Sequence, residues 1–135
     1  MCSSTSRLLV QDGIAAKLLH RLKEEAEKIP TGDGLQEGTL LGPLVSRGQY
    51  DKVLAAIEGA KTENIELLTG GGRPEGFNRG YFVAPTIFVD VPEEPAFWTA
   101  EVFGPVLSVR QFAAVATAFL WGQWLVSRCL PILPH

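Results

Sequence analysis

Residues 80–89, GYFVAPTIFV, are apolar at nearly every position and rich in β-branched and aromatic side chains. A strand with one wet face alternates apolar and polar residues, whereas an unbroken apolar run is covered on both faces. This stretch therefore calls for packing layers above and below a sheet and argues against any fold that leaves one sheet face in water. Pro85 has no amide hydrogen to give to a ladder, so it implies an edge, a bulge or a break within the run.

Two segments can supply the layers. Ile14, Leu18, Leu19, Leu22, Ala26 and Ile29 recur at helical spacing, with KEEAEK on the opposite face. Asp12 reads as the N-cap of this helix, because its carboxylate can accept from the free amides of the first turn, and Pro30 ends it. Residues 29–43 hold many glycines and turn formers and read as a loop. A second helix is expected from Ser46, where SRGQ has the form of a capping box, with Ser46 and Gln49 satisfying each other's backbone amides. Tyr50, Val53, Leu54, Ile57 and Ala60 line one face of it. RLLVQ (7–11), NIELLTGGG (64–72) and VLSVRQF (106–112) read as further strands. The order strand, helix, helix, strand, strand, strand predicts an α/β layered unit, and 135 residues suit one domain.

Several function classes are disfavoured by composition. The net charge is −3 and the 12 Lys and Arg residues are scattered, which argues against nucleic acid as a partner. Cys2 and Cys129 stand at opposite ends with no C-x-x-C spacing, so neither a metal site nor a disulfide framework is readable. No leader segment is visible, and a cytoplasmic, plastid or other organellar location is expected. Residues 112–127 carry no charge over 16 positions. That falls short of the roughly 20 apolar residues of a membrane span. Gly122, Gln123 and the following prolines interrupt it, so residues 113–135 are expected to form an unstructured or loosely packed apolar tail; membrane attachment is the alternative.

Two places could carry chemistry. Cys2 is followed by SSTS, whose amides could turn back on the sulfur and favour the thiolate, the nucleophilic form. A solitary cysteine is also an ordinary small buried hydrophobe. In EVFGPV (101–106) an acid, an aromatic and a Gly-Pro turn lead into a strand, a frequent position for ligand contacts. A surface Glu and a core Phe on a structural turn is the other reading. TGGGR (69–73) lacks both G-x-G-x-x-G and G-K-[ST], and with no evident helix behind it reads as a turn rather than a phosphate cradle.

In order along the chain, CSSTSRLLV, LGPLVSRGQYDKVLAAI, LLTGGGRPEGFNRGYFVAPTIF and EVFGPVLSV resemble the later part of an NAD(P)-dependent aldehyde dehydrogenase, beginning at its active-site cysteine. The wording is closest to the betaine-aldehyde and aminoaldehyde branch, and the resemblance covers residues 2 to about 112. It implies a partial catalytic domain at 1–112, a layered open sheet with flanking helices, lacking the Rossmann cofactor domain.

That resemblance implies three site residues. Cys2 would be the nucleophile that adds to a small aldehyde, with its own backbone amide as an oxyanion donor. Glu101 would hydrogen-bond the ribose beside the nicotinamide of NAD or NADP, and Phe103 would pack beside that ribose and ring. The acid product would follow from a thiohemiacetal and a thioester. The family's cofactor domain, general-base glutamate and asparagine oxyanion donor have no counterpart in these 135 residues, nor does the strand that pairs across its homo-oligomers. WTAE (98–101) departs from the family's usual wording, and AAVATAFLWGQWLVSRCLPILPH shows no family pattern. The isolated chain is accordingly expected to be inactive. The alternatives are a non-catalytic product that binds or interferes with full-length subunits, or an N-terminal nucleophile in which a freed α-amine serves Cys2 as base.

Overall fold

The computed structural model describes residues 5–92 and 101–114. The described elements are β1 (Arg7–Gln11), α1 (Asp12–Glu27), α2 (Arg47–Thr62), β2 (Glu66–Thr69), β3 (Thr86–Val89) and β4 (Val106–Phe112), in the expected order. They form one four-stranded sheet in the order β1-β4-β3-β2. β1, β4 and β3 run parallel, and β2 closes the other edge antiparallel to β3.

The layers demanded by the apolar run are present. All four residues of β3 are buried. Ile87 and Val89 enter a cluster with Ala15 and Ala26 of α1, flanked by Leu18, Leu19 and Leu22. Phe88, pointing the other way, joins Tyr50, Val53, Ile57 and Ala60 of α2. β4 repeats the alternation, with Val109 on the α1 side and Val106 on the α2 side. The result is a helix–sheet–helix sandwich, with burial on both sheet faces providing most of the driving force.

Local details depart from the sequence expectations for identifiable reasons. Residues 80–85 are not strand, so Pro85 marks a break immediately before β3. The segment leading to it is held by other bonds: the Leu44 amide donates to the Tyr81 carbonyl (2.9 Å) and the Ala84 amide to the Gly72 carbonyl (2.8 Å). Arg73 secures the same crossover, donating to the carbonyls of Arg79 (3.1 Å) and Gly80 (2.7 Å) with its guanidinium 5.0 Å from the Tyr50 ring centre. Helix α1 begins one residue earlier than expected. Its N-cap is Gln11, which makes no side-chain cap bond, and Asp12 is a first-turn acid that favours the helix dipole instead. Ile14 is 57% exposed, because the inward line runs through Ala15, Leu18, Leu22 and Ala26 and leaves position 14 about 100° around the helix. Ser46 caps α2 as expected, accepting from the Gln49 amide (3.2 Å), but the Gln49 side chain does not return the bond.

The TGGGR segment is a turn whose polar groups are used by the chain itself. The Gly71 amide donates to the Thr86 hydroxyl oxygen (2.9 Å), that hydroxyl donates to the Ala84 carbonyl (2.8 Å), and Lys61 Nζ reaches the Gly71 carbonyl (2.7 Å). Thr86 is 1% exposed. Thr86→Val would leave a buried amide and a part-buried carbonyl without this partner, at a cost of about 2 kcal/mol. A fall in Tm of roughly 10 °C is expected by circular dichroism, with Thr86→Ser much closer to the parent chain.

No described helix is long and apolar enough to cross a membrane. Of the expected apolar tail, 113–135, Ala113 and Ala114 are exposed beyond the end of β4, and residues 115–135, Cys129 included, lie outside the described residues.

Candidate functional site

Because β1, β3 and β4 are parallel, their amino ends lie along one edge of the sheet. Thr5 and Ser6 precede β1, Pro85 precedes β3, and residues 101–105 precede β4. A cleft of about 590 Å³ opens at this edge, lined by Thr5, Ser6, Gln49, Glu101 and Phe103 among others. It thus opens at the opposite end from the usual ligand crevice of open parallel sheets, which lies outside the carboxyl ends of the strands. The Ser108 amide donates to the Ser6 carbonyl (3.0 Å) and fixes the entry to β1 against β4. Cys2 itself lies outside the described residues, three positions before Thr5.

The turn carrying Glu101 and Phe103 is tightly determined. The Gly104 amide donates to the Val102 carbonyl (2.8 Å) and the Val106 amide to the Gly104 carbonyl (2.8 Å), giving two successive three-residue turns. Pro105 adds a third tie, accepting from the Thr86 amide (2.8 Å). Gly104 is required by close approach to α2, since a Cβ there would stand 2.7 Å and 3.0 Å from the methyl groups of fully buried Val53. Val102 packs into the α2-side cluster. With Val102 directed inward, its neighbours are directed outward.

Phe103 is 55% exposed, so it is not the core residue that a purely structural turn would contain. Glu101 is exposed and its carboxylate makes no hydrogen bond to any described residue. A carboxylate with no partner among the described residues, two positions from an open aromatic ring, can receive a ligand that combines hydroxyl groups with a flat ring. Arg47, at the start of α2, is paired within its own helix. Its Nε donates to both carboxylate oxygens of Asp51 (2.9 Å each), and that hydrogen bond, then the charge of Asp51, raises the guanidinium above its ordinary value.

Gln49 is the member of the cleft that the sequence reading missed. A glutamine at this helix position suggests a capping box, but its amide group can also donate outward, and here Nε2 donates to the Phe103 carbonyl (2.8 Å). A second cleft, of about 600 Å³, lies on the α1 side of the same strand starts. Its walls include Leu22, Ala26, Ile29, Leu40, Ile87 and Leu107, and Thr5 borders both clefts. Among the described residues, no three His, Cys, Asp or Glu side chains are grouped so as to hold a metal ion.

A mixed open sheet between two helices, with a ligand-sized cleft at its parallel strand starts, is part of a layered α/β domain. The chain belongs to the aldehyde dehydrogenase family, whose sequence model matches residues 1–121. It is 50% identical over 113 residues to aminoaldehyde dehydrogenase 1, peroxisomal, of Pisum sativum, a match spanning 84% of this chain and 22% of that protein. It is 46% identical over 114 residues to betaine aldehyde dehydrogenase, chloroplastic, of Beta vulgaris, spanning 84% of this chain and 23% of that one. Among solved structures, the NAD+ complex of aldehyde dehydrogenase from Bacillus cereus superposes with a TM-score of 0.84 at 34% identity, covering 89% of this chain and 24% of that chain. The chain thus spans less than a quarter of the length of these relatives, and its fold is a partial aldehyde dehydrogenase domain.

The chemistry of the residues present suits only the nicotinamide and ribose end of a nicotinamide nucleotide. Glu101 offers a carboxylate with no competing partner among the described residues, suited to ribose hydroxyls, and Phe103 offers an open ring face for packing. No described segment offers a phosphate cradle to match, because the bonds of the glycine turn are already made within the chain.

Proposed function

We propose that this chain carries the nucleophile and part of the nucleotide contact of an enzyme that oxidises an aldehyde to a carboxylic acid with NAD(P)+. The supporting observation is that Thr5 and Ser6, close behind Cys2 in sequence, line the same cleft as Glu101 and Phe103.

In this reading the Cys2 thiolate attacks the carbonyl carbon. A C–S bond forms as the C=O π pair moves onto oxygen, and the backbone amide of Cys2 stabilises the developing alkoxide of the thiohemiacetal. Glu101 accepts hydrogen bonds from the ribose hydroxyls beside the nicotinamide. Phe103 packs beside that ribose and excludes water from the ring. When bound, NAD(P)+ supplies the hydride acceptor that converts the thiohemiacetal to a thioester. Water then releases the acid and returns the thiol.

Aminoaldehydes and betaine aldehyde are the proposed substrates, supported by the names of the plant relatives. The peroxisomal and chloroplastic names of those relatives support an organellar location. The 135-residue polypeptide is inactive by itself in this reading. Glu101 and Phe103 hold only the nicotinamide end of the nucleotide, and the described residues leave its phosphates without a cradle.

The experiment compares the purified chain with a chimaera in which it replaces the matching 113 residues of the Pisum sativum enzyme. Absorbance at the NADH band should rise with an aminoaldehyde for the chimaera and stay flat for the chain alone. A folded chimaera that binds nucleotide but oxidises no aldehyde would refute the proposed function. NADH formation by the chain alone would refute its inactivity.

A further inference from the structure

We infer that Gln49 is a positioning residue that sets the nucleotide-facing turn through the carbonyl of Phe103. The inference rests on the reading of Glu101 and Phe103 as nucleotide contacts.

Gln49 is the third residue of α2, where a capping-box side chain would turn back to the amide of Ser46. Instead its Nε2 reaches a carbonyl 54 positions away at 2.8 Å. That carbonyl belongs to the peptide between Phe103 and Gly104, whose own amide closes the first three-residue turn onto the Val102 carbonyl. Fixing this plane fixes the direction in which the Phe103 Cα presents its ring. The same helix grips the turn a second time one helical turn further on, where Val53 leaves no room for a Cβ at position 104. Gln49 and Val53 are four residues apart and share a helix face, so α2 holds the turn at two points. The Val53 contact fixes its depth. The Gln49 bond acts with the Gly104–Val102 bond to fix the rotation of the Phe103–Gly104 peptide, holding its carbonyl while the other holds its amide, and that restraint bears on the ring.

The test uses the isotopically labelled 135-residue chain, titrated with nicotinamide mononucleotide as probe and followed by NMR. The parent chain should show shifts at Glu101 and Phe103. Gln49→Leu and Gln49→Glu should each weaken binding about fivefold near pH 7, the effect of one neutral hydrogen bond. At about pH 4 the introduced carboxyl is substantially protonated and can again donate. The affinity ratio of Gln49→Glu to the parent should therefore recover by at least half on acidification, while that of Gln49→Leu stays constant. A role confined to stability would not produce that recovery. Unchanged affinity in both variants, or no acid recovery in Gln49→Glu, overturns the positioning role and leaves the nucleotide reading standing. Absence of shifts at Glu101 and Phe103 in the parent overturns the nucleotide reading and this inference with it. Should Gln49→Leu fail to fold, Gln49→Glu at the two pH values decides alone.

Discussion

Cys2→Ser is expected to reduce aldehyde oxidation by the chimaeric enzyme by about 10⁴-fold or more, while nucleotide binding stays within twofold of the parent. The size follows from losing the attacking group itself. A thiol near neutral pH is already partly thiolate, whereas a serine hydroxyl without a dedicated base is almost wholly protonated. Removal of a nucleophile that acts as part of a unit typically costs 10⁴ to 10⁶ in kcat. Glu101→Gln and Phe103→Ala should behave differently, raising the nucleotide KM by roughly tenfold, since each removes a binding contact rather than the reacting atom. Cys129→Ser serves as the control for thiol chemistry in general and should leave turnover unchanged. Steady-state kinetics with the nucleotide varied at a saturating aminoaldehyde distinguishes these outcomes, the first in kcat and the second in KM. A Cys2→Ser enzyme within tenfold of the parent would remove the sulfur from the mechanism, even if Glu101 and Phe103 kept their roles.

The parts of this fold that could be read in advance are those set by local periodicity. The double-sided burial of residues 87–89 follows from an apolar run with no polar face, and the structure divides it between α1 and α2 as strand geometry requires. The faces of the helices were legible for the same reason, apart from Ile14, which periodicity could not distinguish from Ala15 one position on, and Ile29, which lies beyond the end of α1 at Glu27 and is exposed. Helix starts were less legible. Ser46 and Asp12 are both good capping residues, yet only Ser46 accepts an amide, because the chain turns from β1 into α1 one residue before Asp12.

For the site, the residues were legible only through resemblance. Composition and spacing alone left Phe103 as well suited to a core as to a cleft. Its exposure is decided by Val102, which takes the inward position, and by Gly104, whose missing side chain brings the turn against Val53. The Gln49–Phe103 bond was not legible at all, since a hydrogen bond across 54 positions depends on where two elements meet and not on either segment's own pattern.

The largest stability change expected outside the core is at Gly70. Its φ of +79° is already unfavourable for any residue with a Cβ. A Cβ there would also overlap the Pro85 carbonyl oxygen and stand 2.7 Å from Thr86 Oγ1 and 2.8 Å from Thr86 Cα. Neither neighbour can give way cheaply. Thr86 is buried, its hydroxyl bonds both Gly71 and Ala84, and its amide is tied to Pro105. Backbone overlap added to the strained φ puts the cost of Gly70→Ala at about 4 kcal/mol, or a fall in Tm of roughly 20 °C. Gly72 is two residues away in the same turn, with nothing within 4 Å of an added Cβ. Gly72→Ala should therefore cost no more than about 0.5 kcal/mol. The contrast isolates geometry from glycine content, since the two substitutions change composition identically. The damage at Gly70 should also reach the cleft: any outward shift of Thr86 pulls on Pro105, and Pro105 ends the turn that presents Phe103. In the chimaera, held below its lowered melting point, Gly70→Ala is expected to raise the nucleotide KM while Gly72→Ala leaves it alone. Equal melting temperatures for the two variants would show that residues 70 and 85 do not cross as closely as this packing requires, and the path from the glycine turn to the nucleotide contact would fail with it.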